Sequence, residues 1–270
     1  VSLLDYSGDN DHNRSVFTIV GEPYALKKAV LRGCLEVLKM IDMAKHQGAH
    51  PRIGAVDVVP FIPLLGTTLA ETVFLANDFA REFNKASGVP IYYYGAAARV
   101  PNHKNLSKVR AGGYEALALR MKQPDVGKAF FNKTSGATAV GARLPLVAFN
   151  VNLESDDWQL ARRIAAEIRE TNGGLAKVQA LGIFLESQGI AQVSTNITDI
   201  SYNNMKTVFD AVRVKAQQAG VEIRNSELIG LAPLAAWGSA TAADILLSNF
   251  SPKMILEERL AEFVVEYGGG

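Results

Sequence analysis

The sequence predicts an α/β fold of the α+β kind in two halves, and three features lead there. Residues 146–270 run strand, helix, strand, strand, helix, strand, with period-two and helical apolar spacing alternating cleanly. Residues 1–145 carry the same kinds of segment in a shorter order, ββαβ followed by a further helix and strand. Formal charge divides at the same place: residues 1–145 hold 18 Lys and Arg against 12 Asp and Glu, and residues 146–270 hold 10 against 15, a division hidden in a net charge of +1.

In the first half, residues 3–6 read as a short strand and residues 7–13 as a polar turn rich in Asp, Asn and Gly. Residues 14–21 alternate as a second strand. Pro23 suits a first helical position and opens a helix expected to reach His46, because Leu26, Val30, Leu35, Leu38, Ile41 and Met43 recur at helical spacing. Residues 55–62 are apolar and β-branched enough for a buried strand. Residues 68–87 form a second helix closed by Gly88, and residues 89–94 a fourth strand. Residues 95–140 are less regular, with a helix expected around residues 114–121.

The second half is cleaner: strand 146–153, helix 156–171, strand 177–186, strand 190–199, helix 205–219, strand 227–233. Ser187-Gln188-Gly189 makes the hairpin between the middle strands. The order βαββαβ is that of a ferredoxin-like sandwich, one sheet with two helices on one face. Two further helices are expected at 234–247 and 252–265. Against this pattern the first half lacks an opening strand and helix, so an unpaired sheet edge is expected there.

A hydrophobic content of 48% over 270 residues suits one large or two ordinary globular domains. No apolar run approaches the roughly 18 residues that span a bilayer, and no basic-then-apolar leader opens the chain, so a soluble, cytoplasmic protein with no membrane partner is expected. The single cysteine, Cys34, permits no internal disulfide and no Cys-based metal cluster; within a helical pattern it reads as a small buried hydrophobe. Eight basic residues between Arg99 and Lys133 face only Glu115 and Asp125. They make either a solvated surface or a field that collects a multiply anionic ligand.

His46 and His50 stand in Lys45-His46-Gln47-Gly48-Ala49-His50-Pro51-Arg52-Ile53-Gly54. Their separation of four would suit a metal on one helix, but Gly48 and Pro51 argue against a continuous helix and no third His or Cys is near, so no metal is expected. Pro51 biases His50 to an extended backbone at the mouth of a strand. An imidazole there titrates near neutral pH, with an unperturbed pKa of about 6.5, and suits proton transfer; the plain alternative is a structural histidine. Arg14 and Arg52 lie at strand and loop ends, where a guanidinium grips a carboxylate through two parallel bonds or else pairs internally. Asp5, Asp9 and Asp11 either stabilise a cationic group or shape turns.

These words, with Asp11-His12-Asn13-Arg14-Ser15-Val16-Phe17, Ile91-Tyr92-Tyr93-Tyr94-Gly95, Gly136-Ala137-Thr138-Ala139-Val140-Gly141-Ala142-Arg143 and Ala191-Gln192-Val193-Ser194-Thr195-Asn196, make the chain resemble the formiminotransferase family in order from about Leu3 to Val265. The resemblance implies two ferredoxin-like subdomains, 1–145 and 146–270, with their sheets facing and a charged tunnel between them for folate. It implies transfer of a formimidoyl group from N-formimidoyl-L-glutamate to tetrahydrofolate, in histidine degradation. In the family a strand, a Pro-Asn-Phe-Ser-Glu-Gly-like loop and a helix precede the position of Leu3, so the first subdomain is expected to be truncated.

The same resemblance implies site residues. The His of the His-Pro-Arg word is the family's catalytic acid/base, which is His50 here. Arg14 and Arg52 are the candidates for the carboxylates of the donor. The family has an acidic residue near the position of Ser7 that stabilises the amidinium, a role that passes to Asp9 or is absent. Gly127, Lys128, Phe130, Asn132, Lys133, Thr134, Ser135 and Gly136 align with the family's folate-contacting loop; the plain alternative is a flexible connector. A homodimer is expected, with product released to a separate cyclodeaminase, since Val265 leads only to Glu266, Tyr267 and three glycines. Two other readings stay open: N-formylglutamate as donor, and a non-catalytic folate- or polyanion-binding protein.

Two further patterns fail on their chemistry. Residues 136–143 resemble a phosphate loop in their glycine spacing, but Ala142-Arg143 replaces Lys-Ser/Thr. Tyr92, Tyr93 and Tyr94 could stack on bases, but the basic, glycine-bearing RNA-binding word is missing and net charge is near zero, so no nucleic-acid partner is expected.

Overall fold

The computed structural model describes residues 1–9, 13–48, 51–64, 66–120 and 123–267, apart from the side chains of residues 9, 120 and 263–267. The chain divides into two compact units, Val1–Leu144 and Pro145–Gly270.

The first unit opens with an antiparallel hairpin of β1 (Ser2–Asp9) and β2 (Arg14–Val20). Helix α1 (Pro23–Met40) follows, then β3 (Val58–Phe61), α2 (Leu69–Ser87), β4 (Ile91–Gly95), two short helices α3 (Leu106–Val109) and α4 (Gly113–Arg120), and β5 (Thr138–Ala142). Thr68 and Glu71 begin α2 with a capping box, each side chain accepting from the other's backbone N–H, and Gly88 closes it in the left-handed conformation. Strands β3, β5 and β4 form a parallel sheet with β5 central, and among the described residues β1 and β2 pair only with each other. One face of the parallel sheet packs Val59, Phe61, Tyr93 and Val140 against Ala76, Phe79, Ala80 and Phe83 of α2 and the apolar stripe of α1. The opposite face packs Tyr92, Tyr94 and Ala139 against Ile53, Val109 and Leu117. All three consecutive tyrosines are thus buried in the sheet and none is presented for stacking on a base. Cys34 lies buried on α1, where loss of hydration pushes its thiol up to about 12.

The second unit is the ferredoxin-like sandwich: β6 (Val147–Leu153), α5 (Trp158–Ile168), β7 (Val178–Leu185), β8 (Ile190–Ile197), α6 (Met205–Gln218) and β9 (Ile223–Ile229). The antiparallel sheet runs β7-β8-β6-β9, so each of its two βαβ crossovers spans a strand between its own two. Val147, Phe149, Val151 and Leu153 alternate onto the helices and meet Leu160, Ile164, Phe209 and Val212. The other face of the same strands carries a polar row. Buried Asn152 donates to Asn225 (2.7 Å) and Glu227 (3.0 Å) and accepts from Gln192 (2.8 Å).

Several boundaries differ from the sequence reading for identifiable reasons. Helix α1 stops at Met40, not His46: Ile41 turns extended, the Met43 N–H is captured by the Thr134 carbonyl (2.8 Å), and Asp42 shapes a turn by accepting from Ala44 N–H. Ile41 and Met43 keep helical spacing beyond the helix end, Met43 buried and Ile41 half-buried. Strand β1 runs on through Ser7–Asp9, residues read as turn, because Val16, Ser15 and Arg14 pair opposite them. The strand read at 227–233 sits at Ile223–Ile229, where β6 offers its ladder. The helix expected at 234–247 is a 3-10 turn, Leu234–Trp237, ended at Gly238; a Thr241–Asp244 hydrogen-bonded turn and Leu246 in the left-handed conformation follow. Of the segment read as helix 252–265, Pro252–Met254 is a 3-10 turn and α7 spans Leu256–Tyr267.

Candidate active site

Between α1 and β3, residues 53–57 are held by backbone and side-chain hydrogen bonds. Ala55 N–H donates to Ser135 O (3.0 Å) and Ala137 N–H to Ile53 O (2.9 Å), an antiparallel bridge centred on Gly54 and Gly136. Asp57 accepts from Ile53 N–H (2.9 Å) and pairs with Arg110. Part of the basic excess of residues 99–133 is therefore spent internally: Arg110 on Asp57, and Arg99 on the Asp125 carbonyl and the Tyr93 ring.

Arg52 is the centre of the cluster, with its side chain only 14% exposed. Its guanidinium forms an ion pair with Glu115 of α4 (2.7 and 3.0 Å), donates to the His46 carbonyl (3.0 Å), and points Nε at His46 Nδ1 (3.4 Å). The hydrogen bond from Arg52 holds the Glu115 carboxyl below the usual carboxylate range. A ring nitrogen that faces a guanidinium N–H must accept, so the other nitrogen of His46, Nε2, carries the proton. It donates to Asn13 O at 3.0 Å. Asn13, in the left-handed conformation (φ 47°), returns a hydrogen bond from Nδ2 to Gln47 O (2.7 Å). The end of the β1–β2 hairpin is thereby fastened to the segment that leads to His50.

Tyr114 joins a third piece. Its N–H donates to Arg52 O (2.6 Å), its hydroxyl to Lys133 O (2.5 Å), and its ring packs on Phe131 with centroids 5.4 Å apart. Asn132 folds the loop beyond, accepting from Ser135 N–H (3.0 Å) and Thr134 Oγ1 (3.1 Å), while its carbonyl accepts from Gly136 N–H (2.7 Å).

His50 itself lies outside the described residues. Arg14 opens β2, exposed, with Asp9 directly opposite it in register; the Asp9 side chain lies outside what is described. Asn132, Lys133, Thr134, Ser135 and Gly136 reach the cluster through Tyr114, Met43, Ala55 and Gly54. Gly127, Lys128 and Phe130 form the other end of that loop, all exposed, with Gly127 (φ 94°) packed against Asn84 of α2. The loop thus presents an aromatic face and two lysines around a backbone fixed by Asn132, a surface suited to a flat ring with an anionic tail. Among the described residues no three His, Cys, Asp or Glu side chains come together as a metal site, and no helix is long and apolar enough to cross a membrane.

Sequence reasoning did not single out Asn13, Tyr114 or Glu115. Glu115 stands 63 positions from Arg52 and Asn13 33 from His46, separations that carry no periodic signal. The one sequence cue for Glu115 is its isolation as an acid within the basic stretch.

Comparison with known proteins follows the same division of the chain. A family profile described as the N-terminal subdomain of the formiminotransferase domain matches residues 1–143, and one described as the formiminotransferase domain matches residues 148–269. A glutamate formimidoyltransferase from Streptococcus pyogenes serotype M1 is 40% identical over 265 residues, 96% of this chain and 89% of that protein. One from Thermoplasma acidophilum is 35% identical over 96% of this chain and 88% of that protein. A formimidoyltransferase-cyclodeaminase from Mus musculus is 42% identical over 89% of this chain, which there corresponds to 46% of the longer protein.

Proposed function

The chain belongs to the formiminotransferase family, and from that premise we propose that it is a glutamate formimidoyltransferase. It moves the formimidoyl group from N-formimidoyl-L-glutamate to tetrahydrofolate, giving 5-formimidoyltetrahydrofolate and L-glutamate, a step of histidine degradation. The observation that carries this reading is the family match through both units, with relatives of that name aligned over nearly their whole length.

The chemistry asks for one proton carrier. The folate amine attacks the amidine carbon and sheds a proton; the bond from that carbon to the glutamate nitrogen breaks, and the nitrogen gains a proton. We assign both transfers to His50, a contribution of order 10² to 10⁴ in rate. Arg14 is assigned to a donor carboxylate and Asp9 to the amidinium. Arg52 serves a second carboxylate by giving up Glu115, which already shows that a carboxylate fits its outer nitrogens. Folate is assigned to the loop of Gly127, Lys128, Phe130, Asn132, Lys133, Thr134, Ser135 and Gly136. In that loop Phe130 offers a ring face, Lys128 and Lys133 offer charge, and Asn132, Ser135 and Gly136 set the shape. The working form in this reading is a cytoplasmic homodimer.

The test is single-turnover and steady-state transfer from N-formimidoylglutamate to tetrahydrofolate in wild type and His50→Ala, with N-formylglutamate as competing donor. Transfer by wild type, with a loss of at least about 10² in His50→Ala while folate binding persists, is the expected result. Wild type that binds folate but transfers from neither donor overturns the reading, and preferential use of N-formylglutamate reassigns the donor.

A further inference from the structure

The transfer reaction gives no task to His46, a side chain in the cluster around Arg52. His46 is half-buried and is held at both ring nitrogens by groups of known polarity: the Arg52 N–H at Nδ1 and the Asn13 carbonyl at Nε2. Its ring contacts reinforce two backbone-directed links between the same pieces of chain, Asn13 Nδ2 to Gln47 O and Arg52 to the His46 carbonyl. Asn13 directly precedes Arg14, the first residue of β2. Gln47, which accepts from Asn13, is three residues before His50. Arg52 is two residues after His50 and is anchored from the far side by Glu115 and by its own carbonyl, which accepts from Tyr114.

We propose that His46 is a positioning residue for the transfer reaction, a strut that sets the hairpin end bearing Arg14 against the segment that leads to His50. The inference rests on the formimidoyltransferase reading above. The Arg52 guanidinium selects the tautomer, and the tautomer makes Nε2 the donor to the hairpin. The strut is polar at both ends with opposite sense, so an apolar ring of the same shape cannot replace it. Reach and hydrogen-bond sense distinguish two amide replacements. An asparagine amide reaches the place of Nδ1 and can accept from Arg52 but not bridge to Asn13. A glutamine amide extends to the place of Nε2 and can donate to the Asn13 carbonyl.

The experiment compares His46→Gln, His46→Asn and His46→Phe with wild type in kcat, both KM values, thermal midpoint, and backbone hydrogen exchange over residues 13–20 and 43–48. Misplacement of the proton carrier acts on the chemical step and misplacement of Arg14 on donor binding, so in the Asn and Phe variants kcat is expected to fall about five- to tenfold or more and donor KM to rise, with folate KM little changed. His46→Gln is expected within about threefold of wild type. Exchange over both segments is expected to quicken in Asn and Phe but not in Gln. Retention of kcat within about twofold in His46→Phe overturns the proposal. So does a parallel loss in all three variants that tracks their thermal midpoints. Should wild type transfer from neither donor, the failure is that of the functional reading. Exchange then still judges the strut: equal rates in His46→Asn and His46→Gln refute it.

Discussion

Gly54 and Gly136 face each other across an antiparallel bridge with no room for a side chain on either. A Cβ on Gly54 would lie 2.6 Å from the Ser135 carbonyl oxygen, and one on Gly136 would lie 2.7 Å from the Gly54 Cα. Both neighbours are backbone and cannot swing aside. This contact brings residues 132–136, the loop proposed for folate, against the segment that carries Arg52.

Gly136 also has φ of 68°, so Gly136→Ala adds a left-handed strain to the collision. The expected cost is at least about 2 kcal/mol in urea unfolding. Gly189 has nearly the same φ, 65°, at the β7–β8 turn but open space where a Cβ would go. Gly189→Ala should therefore cost only about 1 kcal/mol. Equal losses in the two variants would show that conformation alone, not the close approach to residue 54, governs the position.

Tyr114→Phe removes one hydroxyl and leaves the packing on Phe131. The lost bond to the Lys133 carbonyl is worth about 0.5–1.5 kcal/mol, at the low end because Lys133 is exposed and water can replace the donor. If the loop around Lys133 holds folate, tetrahydrofolate affinity measured by titration should fall about two- to fivefold while the donor KM stays put. An unchanged folate affinity alongside a measurable loss of stability would remove Lys133 and its neighbours from the folate site.

How much of this was legible follows from what each feature depends on. The first five elements of the second unit read closely from sequence, because β6 alternates onto its two helices and each helix has a single apolar stripe; Val147, Phe149, Val151 and Leu153 state the register by themselves, whereas β9, with Leu228 its one buried core apolar residue, reads four positions late. Helix α2 announces both its ends, through Thr68 with Glu71 and through Gly88. Helix α1 does not, because what ends it is a hydrogen bond to Thr134, some ninety residues away. The polar row of Asn152, Gln192, Asn225 and Glu227 is likewise invisible until the strands are paired. At the site, spacing drew notice to His46, Arg14 and Arg52 as residue types at loop ends. What Arg52 holds depends on α4, whose position no local pattern reports.

Lys27 fastens α1 to α2. It is 4% exposed and binds Asp78 and Glu82, both at 2.6 Å. The hydrogen bonds to these carboxylates raise its pKa, and the bond from Lys27 lowers that of Asp78. A lysine with a raised folded pKa contributes stability that is complete below its unfolded value, about 10.4, and is lost as pH rises through the folded one. An aspartate with a lowered folded pKa contributes above about 3.9 and loses its share as pH falls through the folded value. Lys27→Met should cost about 1–3 kcal/mol near pH 7, the smaller end reflecting carboxylates that remain partly hydrated. The difference from wild type in urea midpoint should shrink at both extremes of pH. A difference that stays constant from about pH 3 to about pH 11 would mean that Lys27 contributes by packing its methylenes rather than by charge.

Glu115→Gln addresses whether Arg52 meets substrate. Glu115 is 62% exposed, so its pairing with Arg52 is well hydrated and worth about 0–1 kcal/mol, yet any donor carboxylate that reaches the same guanidinium must compete with it. The substituted amide would keep a hydrogen-bond acceptor at the position and remove the competing charge. Donor KM should then fall about two- to fivefold with kcat little altered, and the gain should diminish as salt is raised. The lowered pKa of Glu115 sets the acid side of the same argument: its share of stability is present above about 4.3, the unfolded value, and fades as pH falls through the folded one, so wild type and Glu115→Gln should converge in stability there. A donor KM that is unchanged or raised would place Arg52 wholly within the protein's own framework, as the anchor of His46 and Tyr114. Recognition of the donor's carboxylates would then fall to Arg14.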